Sequence, residues 1–205
     1  MARQRNSQKS KEDILKAAEI KFAEKGIYGT RVDDIAQAAN INKRMIYEYF
    51  GSKEELYKAV LVEVYSRLSR QEMILLSEDI SYTDAIKKIT SLYFEYLQNT
   101  PTYVNLILWE NLNEGKYIKD IDFSNIKTPV FNLLREVIDK GKKEGIFKQE
   151  ADTEQFILSL LTFTFAHFSN RYTLSKLLGK DITSIENIRN TVNIVTEMFL
   201  NYLCV

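Results

Sequence analysis

The sequence predicts an all-α protein, and two observations carry this prediction. Eight sites combine a helix-start signal with downstream apolar residues three or four apart, which is the period of an amphipathic helix. The 205 residues include only two prolines and seven glycines, so few residues interrupt long helices. Strand-like alternation between turn signals is absent from the sequence. We expect a small N-terminal helical domain followed by a larger helical one.

Signals for the start of a helix are the clearest local patterns in this sequence. Two of them place proline in the first turn, where its missing N–H costs nothing, at Thr100–Pro101 and Thr128–Pro129. The other six place a side-chain acceptor three residues before Asp, Glu or Gln, at Ser10/Asp13, Thr30/Asp33, Ser52/Glu55, Ser81/Asp84, Asp152/Gln155 and Thr183/Glu186. These signals predict about nine helices, at residues 11–25, 32–39, 43–49, 53–77, 82–99, 101–113, 129–144, 153–178 and 184–203.

Charge is distributed unevenly although it sums to zero. Lys+Arg and Asp+Glu both number 28, which alone would argue against a nucleic-acid partner. Residues 1–58, however, hold twelve Lys/Arg against nine Asp/Glu. Arg3, Arg5, Lys9 and Lys11 precede the first acidic residue. The basic excess is therefore local, as expected when one end of a protein binds DNA.

Composition also bounds the cellular setting and the chemistry. The single cysteine, Cys204, excludes an intrachain disulfide, and a reducing cytoplasm is the simplest location. The longest apolar runs are too short to cross a bilayer, so no membrane association is expected. His167 is the only histidine, and a glycine-rich phosphate loop is absent. We therefore expect no metal, no cofactor and no enzymatic activity.

The most informative stretch of sequence runs from Thr30 to Leu56. A short apolar helical face is followed by Asn40, a residue that tolerates the left-handed turn conformation better than most. A second short helix turns Ile46 and Phe50 inward. This pattern predicts a helix-turn-helix whose second helix enters the major groove of DNA.

These residues resemble the TetR/AcrR family of bacterial regulators over residues 10–60. The matching positions are Phe22, Gly26, Thr30, Ile35, Ala36, Ala39, Tyr47, Tyr49, Phe50 and Ser52 to Leu56. The departure is Asn40, where the family has glycine; asparagine is the best substitute at a positive φ. The resemblance implies a DNA-binding domain at residues 1–52, and a ligand-binding and dimerisation domain at residues 53–205.

The resemblance further implies a homodimer bound to a palindromic operator in double-stranded DNA. Thr30, Tyr47 and Lys53 would contact phosphates, residues 42–49 would meet the groove, and residues 43–45 would select bases. The full set of candidate DNA-binding residues is Thr30, Asn42, Lys43, Arg44, Met45, Tyr47, Tyr49 and Lys53.

The C-terminal part carries two further expectations. The helix at 153–178 is apolar on almost every face, and the helix at 184–203 has one continuous apolar stripe. The family resemblance implies that these last two helices pair with their copies in the dimer; a single monomeric core is the alternative. A small apolar or aromatic effector would bind among aromatic and polar residues, although aromatics that merely fill a core would look the same. The candidates are Tyr93, Tyr96, Tyr103, Trp109, Glu110, Phe163, His167 and Arg171.

Two functions remain open at this point. The first is a transcriptional regulator, most simply a repressor that an effector releases from its operator. The second is a helical small-molecule or lipid-binding protein without a role in gene regulation. The basic and aromatic surface of residues 43–49 favours the first.

Overall fold

A computed structural model describes the backbone of residues 2–205 and the side chains from Ser7 onward. The chain is helical, as the sequence predicts. Among the described residues, strand-like pairing is limited to one bridge between Phe147 and Cys204. The helices are α1 Ala2–Gly29, α2 Val32–Ala38, α3 Lys43–Phe50, α4 Lys53–Leu76, α5 Tyr82–Asn99, α6 Pro101–Leu112, α7 Thr128–Lys143, α8 Thr153–Ser169, α9 Arg171–Leu178 and α10 Ile185–Leu203, with a 3-10 turn at Ile118–Asp120.

Most predicted helix starts are confirmed, and the exceptions have local causes. Ser52, Ser81 and Asp152 accept hydrogen bonds from first-turn amides, as predicted. Ser10 is not a start, because α1 begins at Ala2. The cap predicted at Thr183 falls on Ser184 instead, whose hydroxyl accepts from the amide of Asn187.

Two further differences concern helix boundaries. The helix predicted at 32–39 does begin at Val32, but the cap predicted at Thr30 is wrong. The N-cap of α2 is Arg31, which makes no side-chain hydrogen bond to the first turn. The single helix predicted at 153–178 is two, α8 and α9, divided at Asn170. There the Asn170 side chain turns back to the carbonyl of Ala166, which is how asparagine competes with a helical backbone.

The chain forms two compact units. The first comprises Met1–Tyr65 with Thr102–Asp122, and the second comprises Ser66–Pro101 with Phe123–Val205. Helix α4 therefore contributes residues to both, and α6 belongs mainly to the first. The predicted division after residue 52 stays a prediction. No helix of the described residues is long and apolar enough to span a membrane.

The core of the first unit joins α1 to the helix-turn-helix and to α4. Phe22 and Tyr57 are fully buried, and their rings meet edge to face at 5.0 Å. Ile35 and Ile46 bring the inner faces of α2 and α3 into the same core. Burying a large apolar side chain contributes roughly 1.5–3 kcal/mol, so these helices depend on packing for their stability.

The second unit is built around α5. This helix packs against α10 on one side and against α7 and α8 on others. Phe94 is buried beneath Phe168 of α8, and Phe156 of α8 meets Phe199 of α10 edge to face at 5.2 Å. The long helices predicted for the C-terminal part thus share one aromatic core.

A break in α1 shapes the first unit. Gly26 has φ 65° and ψ 177°, a backbone conformation open almost only to glycine. A Cβ there would lie 2.8 Å from Cδ2 of the Trp109 ring. The indole Nε1 of Trp109 donates to the carbonyl of Ala23 at 3.3 Å. The absence of a side chain at Gly26 therefore lets α6 lie directly on α1.

We expect Gly26→Ala to destabilise the protein by about 2–5 kcal/mol, because backbone strain and a clash with Trp109 add together. The measurement is the free energy of unfolding from urea denaturation. Gly51→Ala is the matched control: Gly51 has φ 80° but an added Cβ would meet open space. It should lose only the strain component of about 1–3 kcal/mol. Equal losses would mean that the Trp109 contact contributes nothing.

Candidate nucleic-acid interface and effector site

Helix α3 presents a polar and aromatic outer face beside a buried inner one. Ile46 is fully buried, whereas Tyr47 keeps 44% of its surface exposed. Asn42 precedes α3, and its Oδ1 accepts from the amide of Arg44 at 2.8 Å. Asn40 has φ 52°, which confirms the left-handed turn expected before this helix. The turn and the cap together fix where α3 begins.

The basic residues of α3 differ in how they are held. Arg44 is exposed. The Nζ of Lys43 lies 2.9 Å from both carboxylate oxygens of Asp33 on α2. This hydrogen bond is the main cause that raises the pKa of Lys43 above its ordinary value. Lys43 therefore stays protonated, and its ammonium is already paired with the carboxylate of Asp33.

Two other predicted DNA contacts serve the joint between α1 and α2. Thr30 is only 2% exposed, and its hydroxyl lies within hydrogen-bond distance of the carbonyls of Gly26 and Lys21, at 2.7 and 2.9 Å. Lys53 of α4 donates from Nζ to the carbonyls of Ile27, at 2.9 Å, and of Thr30, at 3.3 Å. Both side chains satisfy carbonyls left open by the end of α1. Their contact with phosphate stays a prediction.

The remaining predicted contacts are partly exposed. Met45 and Tyr49 are half-buried on α3. The Nζ of Lys11 lies 5.4 Å from the centre of the Tyr49 ring, within the range of a cation–π contact. This contact ties α1 to the recognition helix. The side chains of Arg3 and Arg5, in the basic N-terminal segment, lie outside the described residues.

Three of the predicted effector-binding residues belong to the first unit. Tyr103 is buried with its ring edge-on to Tyr65 at 5.5 Å, and burial raises the pKa of Tyr65 to about 12. Trp109 contacts α1 as described above. Glu110 is 1% exposed, and its Oε2 accepts from the amides of Tyr117 at 3.1 Å and Ile118 at 2.9 Å.

Glu110 therefore has a clear local task. It caps the turn that follows α6, and its negative charge adds to burial in raising the pKa of Tyr57. These contacts account for Oε2 of the carboxylate, whereas the buried Oε1 has no hydrogen-bond partner among the described residues. Its role in effector binding stays a prediction, as do those of Tyr103 and Trp109.

The other predicted effector-binding residues belong to the second unit. Tyr93 and Tyr96 are buried on α5. His167 is half-buried, its Nε2 lies 3.1 Å from the carbonyl of Ile182, and burial lowers its pKa. Phe163 is 45% exposed on α8. Arg171 lines an open cleft of about 570 Å³ beside α9.

The second unit also contains a buried ion pair that sequence reasoning missed. The Nζ of Lys127 lies 2.5 Å from Oε2 of Glu72, and Tyr93 donates its hydroxyl to Oε1 of the same carboxylate. The Glu72 side chain is 0% exposed and that of Lys127 is 9% exposed. Burial lowers the pKa of Lys127, against the opposing effect of Glu72.

Lys127 also faces aromatic rings. Its Nζ lies 5.8 Å from the ring centre of Tyr93 and 5.9 Å from that of Phe131. The three helices α4, α5 and α7 thus meet at one charged cluster. Glu72 and Lys127 are 55 positions apart in the chain, and no local pattern could have paired them.

Helices α8 and α10 carry apolar residues on two faces. Ile188, Val195, Phe199 and Leu203 of α10 are buried within the unit. The large apolar residues exposed on the two helices are Leu158, Phe163, Ile185, Ile194, Met198 and Tyr202. Exposed apolar residues in such a group are typical of a surface that binds another protein.

Comparison with known proteins bears on the family to which the chain belongs. Residues 14–60 match the family model described as bacterial regulatory proteins of the tetR family. Residues 83–199 match the tetracyclin repressor-like C-terminal domain. The chain is also similar to the HTH-type transcriptional repressor NicS of Pseudomonas putida, at 27% identity over 202 residues, covering 98% of this chain and 95% of the relative.

Solved structures share the fold. The fatty acid degradation regulator FadR from Bacillus halodurans superimposes with a TM-score of 0.73 at 23% identity, covering 93% of this chain and 94% of that one. The ketosteroid transcriptional regulator KstR2 of Mycobacterium tuberculosis gives 0.69 at 18% identity, covering 95% of each. The two family models together cover the helix-turn-helix and most of the second unit. This chain therefore belongs to the tetR family of bacterial transcriptional regulators.

Proposed function

We propose that this chain is a homodimeric repressor that binds a palindromic operator and leaves it when a small apolar or aromatic effector binds. As a member of the tetR family it is a DNA-binding transcriptional regulator and not an enzyme. The repressor assignment draws on its similarity to NicS. In this proposal, residues 1–52 bind DNA and residues 53–205 bind the effector and form the dimer.

The observation that carries the DNA-binding role is the outer face of α3. Arg44 and Tyr47 are exposed there, and Arg31 is exposed where α2 begins. Arginine can bond a guanine edge with two parallel hydrogen bonds, and tyrosine can donate to phosphate. We propose that Lys43, Arg44 and Met45 select bases, that Thr30, Tyr47 and Lys53 contact phosphates of the DNA, and that Asn42 and Tyr49 also meet the groove.

The dimer surface is proposed to be the exposed apolar face of α8 and α10. A two-fold dimer places the same patch of both subunits against itself. Its recognition helices would then lie about 34–36 Å apart, the repeat that a palindromic site requires. The effector would favour a dimer with a different spacing, which it can do only by binding that form more tightly.

The effector site is proposed to lie in the second unit, among Tyr93, Tyr96 and His167. The buried Glu72–Lys127 pair borders this group through its bond to Tyr93. A buried ion pair contributes little net stability, so its presence in an aromatic core favours a functional role.

Replacing Lys43, Arg44 and Tyr47 together with alanine should abolish binding to duplex DNA or weaken it severely. Losing the two positive charges of Lys43 and Arg44 should also make the affinity less dependent on salt, because fewer counterions are released on binding. Fluorescence anisotropy on labelled duplex DNA measures both. Lys176→Ala with Lys180→Ala removes the same two charges beside α9 and serves as the control. Unchanged binding by the triple variant would contradict the assignment of α3.

Ile194→Lys should convert the dimer to a monomer, because a lysine would be buried without a partner at the two-fold surface. Sedimentation velocity measures the change. Ile74→Lys is the matched control, since Ile74 is 68% exposed and Ile194 59% exposed. A dimer that persists in Ile194→Lys while folded would exclude this face.

Lys127→Met should destabilise the protein by about 3–5 kcal/mol, because Glu72 is left buried and unpaired. The double variant Glu72→Gln with Lys127→Met should recover most of that loss, since no charge remains. Urea denaturation of the wild type, the two single variants and the double variant gives the coupling energy. Additive losses would mean that the two side chains act independently.

A further inference from the structure

Lys43 and Asp33 form a bridge between the two helices of the helix-turn-helix. The Nζ of Lys43 lies 2.9 Å from each of the two Asp33 oxygens. Both side chains are on the surface, with 44% of Lys43 and 68% of Asp33 exposed. The ammonium that stands first on the recognition helix is thus held toward α2.

The ion pair between Lys43 and Asp33 is not needed to hold α2 and α3 together. Exposed ion pairs contribute little to stability. The first turn of α3 already has its own cap, because Asn42 accepts from the amide of Arg44. The inner faces of α2 and α3 are joined through the buried Ile35 and Ile46. The ion pair is therefore free to serve DNA recognition.

The ion pair with Asp33 changes which contacts Lys43 can make with DNA. A lysine without a counter-ion attracts every phosphate equally and so adds affinity without selectivity. Lys43 must instead exchange a carboxylate for any new partner. Losing the carboxylate offsets the gain from a single phosphate contact. The exchange is favoured where the DNA offers two acceptors to the ammonium at once, as O6 and N7 of guanine do.

We propose that Asp33 is a specificity-determining residue, which holds Lys43 back from unselective phosphate contact. The proposal rests on the DNA-binding function proposed above. The hydrogen bond that Lys43 donates to Asp33 also raises the pKa of Lys43. The lysine therefore stays charged when it leaves Asp33 for a DNA acceptor.

The test compares Asp33→Asn with Asp34→Asn in the full-length protein. Both variants remove one negative charge from the first turn of α2, but consecutive helical residues point about 100° apart. The probe is a labelled duplex of random sequence in fluorescence anisotropy. We expect Asp33→Asn to raise affinity for this DNA about two- to fivefold more than Asp34→Asn does, the range expected for an exposed ion pair. Its salt slope should be steeper by about 0.9, one additional phosphate contact.

Selectivity is measured with a second probe. Duplexes enriched by wild-type protein from a random pool should bind wild type more tightly than the starting pool. That ratio should fall in Asp33→Asn and persist in Asp34→Asn. In a Lys43→Gln background, the two asparagine variants should become equivalent, because the lysine they compete for is gone.

The outcomes separate this proposal from the one on which it rests. Equal effects of Asp33→Asn and Asp34→Asn in the presence of Lys43 overturn the role of Asp33 and leave DNA binding intact. A difference that survives Lys43→Gln also overturns it, since Asp33 would then act without Lys43. Wild-type protein that binds neither DNA pool overturns the DNA-binding function itself.

Discussion

The first unit depends on one backbone constraint, the break in α1 at Gly26. Because glycine alone adopts this conformation readily, the chain can end α1 and turn directly into α2. The carbonyls freed at the break are met by Thr30 and by Lys53 of α4. Trp109 occupies the space that a side chain would fill. The start of the helix-turn-helix, the first turn of α4 and the body of α6 are thus all held at the same point.

The second unit contains a different constraint, which is a pair of charged side chains in an apolar interior. Glu72 is tolerated because Lys127 neutralises it and Tyr93 occupies its second oxygen. Such a cluster holds α4, α5 and α7 in one arrangement, since separating any partner leaves a buried charge unpaired. An effector that binds beside it would act on a part of the core where small displacements are costly. The effector site proposed above would therefore lie where a ligand can bias one conformation over another.

Local features were predictable from the sequence because they involve residues a few positions apart. The caps at Ser52, Ser81 and Asp152 each join a side chain to an amide two or three residues on. The left-handed Asn40 and the apolar faces of α2 and α3 follow the same rule. Errors arose where a local signal had a competitor. Thr30 looks like a helix cap, but its hydroxyl bonds to carbonyls earlier in the chain. Asn170 lies inside an apolar run, but its own side chain interrupts the helix.

The sequence by itself thus determined the helical class, the helix-turn-helix and the family to which the chain belongs. Only the tertiary structure decided which partners distant residues take. It placed Trp109 and Glu110 of α6 in the unit that contains the DNA-binding helices, bonded to Ala23 and to the turn at Tyr117. It paired Asp33 with Lys43 and Glu72 with Lys127. The physical reason is that caps and turns form between residues close together in the chain, whereas these contacts depend on how whole helices pack. Helical periodicity indicates which face of a helix is buried but not which other element covers that face.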